Sequence, residues 1–183
     1  MNVSNRIKKN TVIVAAEIMA LLLLVFYALF AFRESRAKIF HISGLPVVSR
    51  EDGYDYLIEN VSRPDIELNY HVDVKGCIIT GWAVQKGVRS GGSDMIKVVL
   101  KNVDTGTFYS FPTVRQMRKE VTEQFYDGTD YDESGFEAKI QYNKEIDTDT
   151  NEYEIYVYLK NKEGKKLINT SVSLNEWIDN IGE

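Results

Sequence analysis

Residues 136–142 read FEAKIQY, with Phe136, Ala138, Ile140 and Tyr142 alternating with Glu137, Lys139 and Gln141. Successive side chains on a strand point to opposite faces, so this period of two predicts a strand with its apolar set turned inward. The same signature recurs at Ile66–Val72, Lys75–Val84, Met95–Asn102, Thr107–Phe111, Tyr153–Asn161 and Lys166–Val172. Asp104-Thr105-Gly106 and Asn161-Lys162-Glu163-Gly164 supply hairpin turns with the expected glycine. Residues 113–126 (TVRQMRKEVTEQFY) lack the period and predict a short helix or a wrapped connection between sheets. About seven short strands with glycine-containing turns predict an all-β fold, a single immunoglobulin-like β-sandwich over residues 66–183.

Upstream, IFHISGLPVV (39–48) reads as an extended lead-in broken at Gly44 and Pro46. Ser49-Arg50-Glu51-Asp52 resembles a capping box, and Tyr54, Leu57, Ile58 and Val61 follow at helical spacing. This predicts a short amphipathic helix over about 50–61 within a 33–65 linker, ended by Ser62-Arg63-Pro64.

Residues 11–32 (TVIVAAEIMALLLLVFYALFAF) carry one ionisable group, Glu17. Twenty-two helical residues rise roughly 33 Å, enough for a hydrocarbon core of about 30 Å. Arg6, Lys8 and Lys9 before the run balance Arg33, Arg36 and Lys38 after it, so charge bias leaves orientation open. The short N-terminal tail favours a cytoplasmic segment 1–10, an uncleaved transmembrane signal anchor 11–32 and an extracytoplasmic remainder. Cleavage at Ser35-Arg36-Ala37 is the alternative. Glu17 has two readings, an edge residue that snorkels or a contact to a second membrane helix. Ala16 and Ala20, four apart beside it, offer a small surface for close helix approach and motivate the second.

The whole chain has 183 residues and a net charge of −5, but the balance is uneven. Residues 39–183 hold 16 basic and 25 acidic side chains, a balance of −9. That excludes nucleic-acid binding by phosphate neutralisation. One cysteine excludes an intramolecular disulfide and a cysteine metal cage, and two histidines exclude a histidine-rich one. Cys77, in GCIITGW, lies six residues after His71, but an apolar strand is where free cysteine is usually packing. Sortases share a membrane anchor, a β domain and one cysteine, yet theirs ends a late strand and precedes an essential arginine. No G-x-S-x-G, P-loop, G-x-G-x-x-G or H-E-x-x-H motif occurs, so the expectation is a protein that is not an enzyme.

Two acidic runs place oxygen ligands at alternate positions, which suits calcium. DGTDYDESG supplies Asp127, Asp130 and Asp132; DTDTNE supplies Asp147 and Asp149. The second imitates the start of an EF-hand loop but has Glu152 and Tyr158 where that loop needs Gly and Glu. Solvated acidic loops are the competing reading, with calcium the one cofactor to consider. In EYEIYVYLK, Tyr153, Ile155, Val157 and Leu159 share one face, leaving Tyr156 and Tyr158 on the other. These two tyrosines either form a stacking platform for a sugar or peptide, or are covered by the 50–61 helix.

The run Gly81-Trp82-Ala83-Val84, then Ile96–Asn102, Thr105–Phe111, Thr113, Arg115, Arg118 and Val121-Thr122, closes with Ser134-Gly135-Phe136. This order resembles a β-sandwich module of bacterial surface-polysaccharide machinery, an exported appendage of membrane proteins that include glycosyltransferases. Glu120 stands where that pattern more often has Asp. The resemblance covers about a third of the chain and implies a non-catalytic accessory role. Arg115 and Arg118 would then anchor the crossover or touch an anionic saccharide. The expectation is a membrane-anchored extracytoplasmic module that binds surface glycan or wall polymer; the alternative is a protein-interaction subunit of a membrane complex.

Overall fold

Phe136, Ala138 and Ile140 are buried in the computed structural model, and Lys139 and Gln141 are exposed, on a strand running Gly135–Gln141. The structure describes residues 14, 17–29, 37–62, 76–142 and 145–181, and the chain divides into two units, 1–36 and 37–183. In the second unit the strands are β1 Lys38–Ile39, β2 Val47–Val48, β3 Tyr54–Ser62, β4 Gly76–Gln85 and β5 Met95–Asn102. They continue as β6 Phe108–Ser110, β7 Thr113–Gln116, β8 Gly135–Gln141, β9 Tyr153–Asn161 and β10 Gly164–Ser173.

Two sheets result, one in the order β1-β6-β5-β9-β10-β2 and one in the order β3-β4-β8-β7. Ile79, Phe136 and Ala138 of the smaller sheet and Val98, Leu100, Ile155 and Val157 of the larger share one apolar core and are all 0% exposed. Fully burying a side chain of this size stabilises by about 1.5–3 kcal/mol, so this shared layer is what holds sheet to sheet. Tyr56 donates its hydroxyl to the Thr170 carbonyl (3.3 Å) and Asn161 its amide to Gln85 (2.9 Å), tying the sheets with polar contacts as well.

Both predicted hairpin turns are present, with Gly106 at φ 68° and Gly164 at φ 118°. The predicted strand 66–72 lies outside the described residues. Residues 113–126 become β7 followed by the helix Lys119–Phe125 (α2; α1 is the N-terminal helix below). Phe125 and Val121 of α2 cover Trp82, Val84 and Tyr131 on the outer face of the smaller sheet. Leu174–Ile181 (α3), whose Leu174, Trp177 and Ile178 pack into the main core, had no counterpart in the sequence reading.

The predicted helix over 50–61 is corrected. Its capping box exists: Ser49 and Asp52 cap each other around a single 3₁₀ turn, Arg50–Asp52. Gly53, at φ 85°, then ends the turn, and Tyr54–Ser62 is a strand. The inward residues are Tyr54, Tyr56, Ile58 and Val61, because a bulge between Ile58 and Asn60 inserts one extra residue. The helical spacing counted Leu57, which faces outward at 47% exposed, and the bulge placed Val61 three residues after Ile58, so together they mimicked a helical face.

In the first unit, residues 17–29 are helical (α1). No helix among the described residues is long and apolar enough to cross a membrane. Ile18, Leu21, Leu24, Phe26 and Leu29 are each more than half exposed.

Candidate functional site

The lead-in does not stop at a linker. β1 pairs with β6 at one edge of the larger sheet, and β2 pairs in parallel with β10 at the other. The intervening residues therefore cross that sheet's outer face as a strap. Phe40, Ile42 and Leu45 pack onto Val99, Phe108, Tyr156, Tyr158 and Leu167. The Phe40 ring meets Tyr158 edge-on at 5.3 Å, and Phe108 meets Tyr156 at 5.4 Å. Gly44 (φ 73°) and the Leu45 N–H bonded to the Ile42 carbonyl at 2.8 Å turn the strap back before it reaches β2.

That turn leaves a hollow of about 350 Å³ between the strap and the sheet. Its walls are Phe40, His41, Ser43, Gly44, Leu45 and Pro46, with Tyr158 and Lys165 on the sheet side. The volume is at the small end of the range for ligand sites. Burial pushes the Tyr158 phenol above its ordinary value, so the hydroxyl stays protonated and available as a donor. It bonds to no described residue.

Strand register supplies the charge beside this hollow. Lys165 lies directly opposite Lys160, and Lys97 lies directly opposite Tyr158. Directly opposed residues have Cβ atoms about 4.5–5.5 Å apart and diagonal neighbours about 7–8 Å. Lys160 is therefore the direct neighbour of Lys165 and the diagonal neighbour of Lys97, while Lys97 and Lys165 stand on either side of β9, about 10 Å or more apart, and of the three Lys165 lines the hollow. Among the described residues none of the three pairs with a carboxylate. Burial, with Asp52 and then Glu163 of the hairpin, raises the Tyr54 phenol above its ordinary value. Glu154, four positions before Tyr158 on β9, is held by Lys101 at 3.0 Å.

The residues picked from sequence sit differently. Tyr156 (5% exposed) and Tyr158 (8%) do point away from the core, but the strap covers them, so the open stacking platform is corrected. The cover is the lead-in and not a 50–61 helix. Of the two, Tyr158 borders the strap hollow. Arg115 donates to the Gly91 and Asp94 carbonyls and pairs with Glu133 at 2.8 Å. Arg118 pairs with Glu59 of β3 at 2.9 Å. Both guanidinium groups are committed to tying β7 and its flanking loop to the sandwich.

The acidic residues are also occupied. Asp127 accepts from the Tyr131 hydroxyl (2.6 Å) and the Thr129 N–H, and the phenol contact holds its carboxyl below the usual carboxylate range. Asp130 binds Arg89 at 2.9 Å, and Asp132 accepts from the Thr122 hydroxyl at 2.6 Å. Asp147 accepts from the Asp149 N–H and the Thr150 hydroxyl within its own loop. The two loops named for a shared calcium site flank β8. One loop enters β8 and the other leaves it, and seven residues at about 3.3 Å rise separate them by roughly 20 Å. No group of three or more His, Cys, Asp or Glu that could hold a metal occurs among the described residues.

Cys77 is 2% exposed, and burial pushes its thiol up to about 11, where an attacking thiolate is scarce. His71, considered as its base, lies outside the described residues, as does Ala16. Glu17 and Ala20 are on α1 and exposed. What sequence reading missed is the strap hollow and its lysines. The only signal for them was KNKEGKK at 160–166 after the aromatic strand. Compared with family models, curated proteins and solved structures, the chain matches none.

Proposed function

We propose that this chain is a single-pass membrane protein whose residues 37–183 form an extracytoplasmic, immunoglobulin-like module that binds a cell-surface polymer and catalyses no reaction. The anchor reading draws on the apolar run 11–32 and on α1, where exposed apolar side chains occupy every side of the helix. A helix apolar all round belongs in an apolar surrounding. The binding reading rests on one observation, the hollow beneath the strap with Tyr158 at its floor. The surface-polysaccharide resemblance gives the polymer its class. The buried, hard-to-ionise Cys77 and the self-bonded acidic loops support a module without chemistry of its own.

The test uses the full chain in its host membrane. It should resist alkaline extraction, lose residues 37–183 to external protease, and retain purified wall polysaccharide on pulldown. Ser43→Trp, which fills the hollow from an exposed position, should abolish retention with an unchanged unfolding midpoint. Retention that survives Ser43→Trp, or release of the chain by alkali, overturns the corresponding half of the reading. A second reading, a subunit of a membrane protein complex, is favoured by Glu17 and Ala20 on α1 and by exposed Val114 and Met117 at the β7 end. Glu17→Leu should then change the set of crosslinked membrane proteins.

A further inference from the structure

We propose that the strap hollow is a subsite for an acidic sugar, a uronate-type ring whose carboxylate is met by Lys97, Lys160 and Lys165 while Tyr158, Pro46 and Phe40 contact the ring. This rests on the polymer-binding reading and names its ligand class. Three features of the site converge on it.

First, the lysines are placed where stability alone would not put them. Lys160 directly opposite Lys165 is a like-charge cross-strand pair, an arrangement that destabilises a sheet, and Lys97 adds a third charge one strand away. A bound carboxylate turns this repulsion into attraction. Flexible four-carbon stems let Lys160 and Lys165 converge on one acceptor at the mouth of the hollow, with Lys97 approaching from the other side of β9. Second, the hollow is concave and its walls are ring-sized: a phenol, a proline and a phenylalanine edge. A flat anionic lipid surface would meet the lysines but leave these walls empty. Third, the Tyr158 hydroxyl, which bonds to no described residue, and the Ser43 hydroxyl offer directed partners for sugar hydroxyls.

The experiment titrates the full chain, in nanodiscs of neutral lipid, with fluorescent oligogalacturonate and with a neutral oligogalactan of equal length. Wild type should bind oligogalacturonate at least about tenfold more tightly than oligogalactan, with affinity falling as salt rises. Lys97→Gln/Lys160→Gln/Lys165→Gln should lose about tenfold or more for the acidic oligomer and little for the neutral one. Tyr158→Phe should weaken both a few-fold, and Lys165→Glu, at an exposed position, should weaken the acidic oligomer even where the triple variant folds poorly. Equal affinity of the triple variant and wild type for oligogalacturonate overturns the subsite. If oligogalactan binding persists in that case, the polymer-binding reading survives; if neither oligomer binds wild type, both fall. Displacement of oligogalacturonate by phosphatidylglycerol vesicles at equal anion concentration overturns the sugar in favour of a lipid surface.

Discussion

Gly81 of β4 is where the smaller sheet has no space to give. It stands opposite Ile58, at the residue where β3 bulges. A Cβ built there would lie well inside contact distance of the Leu57 carbonyl oxygen, 3.2 Å from the Ile58 Cα and 3.0 Å from the Phe136 ring. Carbon atoms settle at about 3.5–4.0 Å, and two of these neighbours are backbone while the third is a fully buried ring. Gly81→Ala therefore has to push β3 out of register with β4. Overpacking costs about 1–3 kcal/mol and occasionally more, and the strand shift puts this site at ~3 kcal/mol. In a domain of this size each kcal/mol lowers Tm by about 2–4 °C, so a fall of roughly 6–12 °C is expected. Gly106→Ala is the control: its added Cβ meets nothing within 4 Å, leaving only the cost of φ 68°. That cost is ~1 kcal/mol for an L residue. Thermal melts of the full chain in detergent, followed by near-ultraviolet circular dichroism, compare the two. A Gly81→Ala midpoint no lower than that of Gly106→Ala would refute the steric account.

Two further outcomes test the chemistry assigned to buried groups. Cys77, raised to about 11, should resist a disulfide reagent at pH 8 in the native chain and react only after urea unfolding; labelling of the native chain at a free-thiol rate would contradict its burial. Tyr131→Phe should destabilise, and the deficit should shrink with acid. Asp127 has a folded value below its unfolded one, so its contribution is present above about pH 4 and is lost as pH falls through the folded value. Tyr131→Phe also removes the acceptor of the Gly87 N–H (2.6 Å), a loss that does not titrate, so urea midpoints at pH 7, 5 and 3.5 should draw closer toward the acid end without meeting, whereas a deficit that stays constant or widens there would show that the phenol does not act through Asp127.

Alternation made most strands legible because a half-buried strand must repeat at two. Met95–Asn102 and Tyr153–Asn161 match their sequence bounds, and β4, β8 and β10 shift by no more than two residues at an end. The failures have physical causes. At β3 an outward Leu57 and the bulge together gave a strand the spacing of a helix. At β1 and β2 two-residue pairings are set by their partners in β6 and β10, so no local pattern announces them. The burial of Tyr156 and Tyr158 depends on a segment more than a hundred residues earlier returning across them, a tertiary event that strand periodicity does not encode. The hollow inherits the same limit: its two walls come from residues 40–46 and from the β9–β10 hairpin.

The residues behind the family resemblance turn out to be those the sandwich needs for closure. Gly81 admits β3; Trp82 sits under α2 against Phe125 at 5.9 Å. At Gly135 a Cβ would fall 2.6 Å from the Arg118 side chain and 2.8 Å from the Gln116 carbonyl, so glycine is what lets β7 lie against β8. Arg115 and Arg118 hold that arrangement with Glu133 and Glu59. None of these residues borders the strap hollow. Positions selected for closure carry information about fold, so ligand choice has to be sought where the fold leaves freedom, in the strap and the β9–β10 hairpin. The balance of −9 over residues 39–183 does not oppose an anion there. Screening limits exposed charges to about 8 Å at physiological salt. By register Lys160 lies within that distance of both Lys97 and Lys165, which flank it from the neighbouring strands, while the acidic 127–132 loop belongs to the other sheet. Local potential, rather than net charge, governs what this corner of an acidic domain attracts.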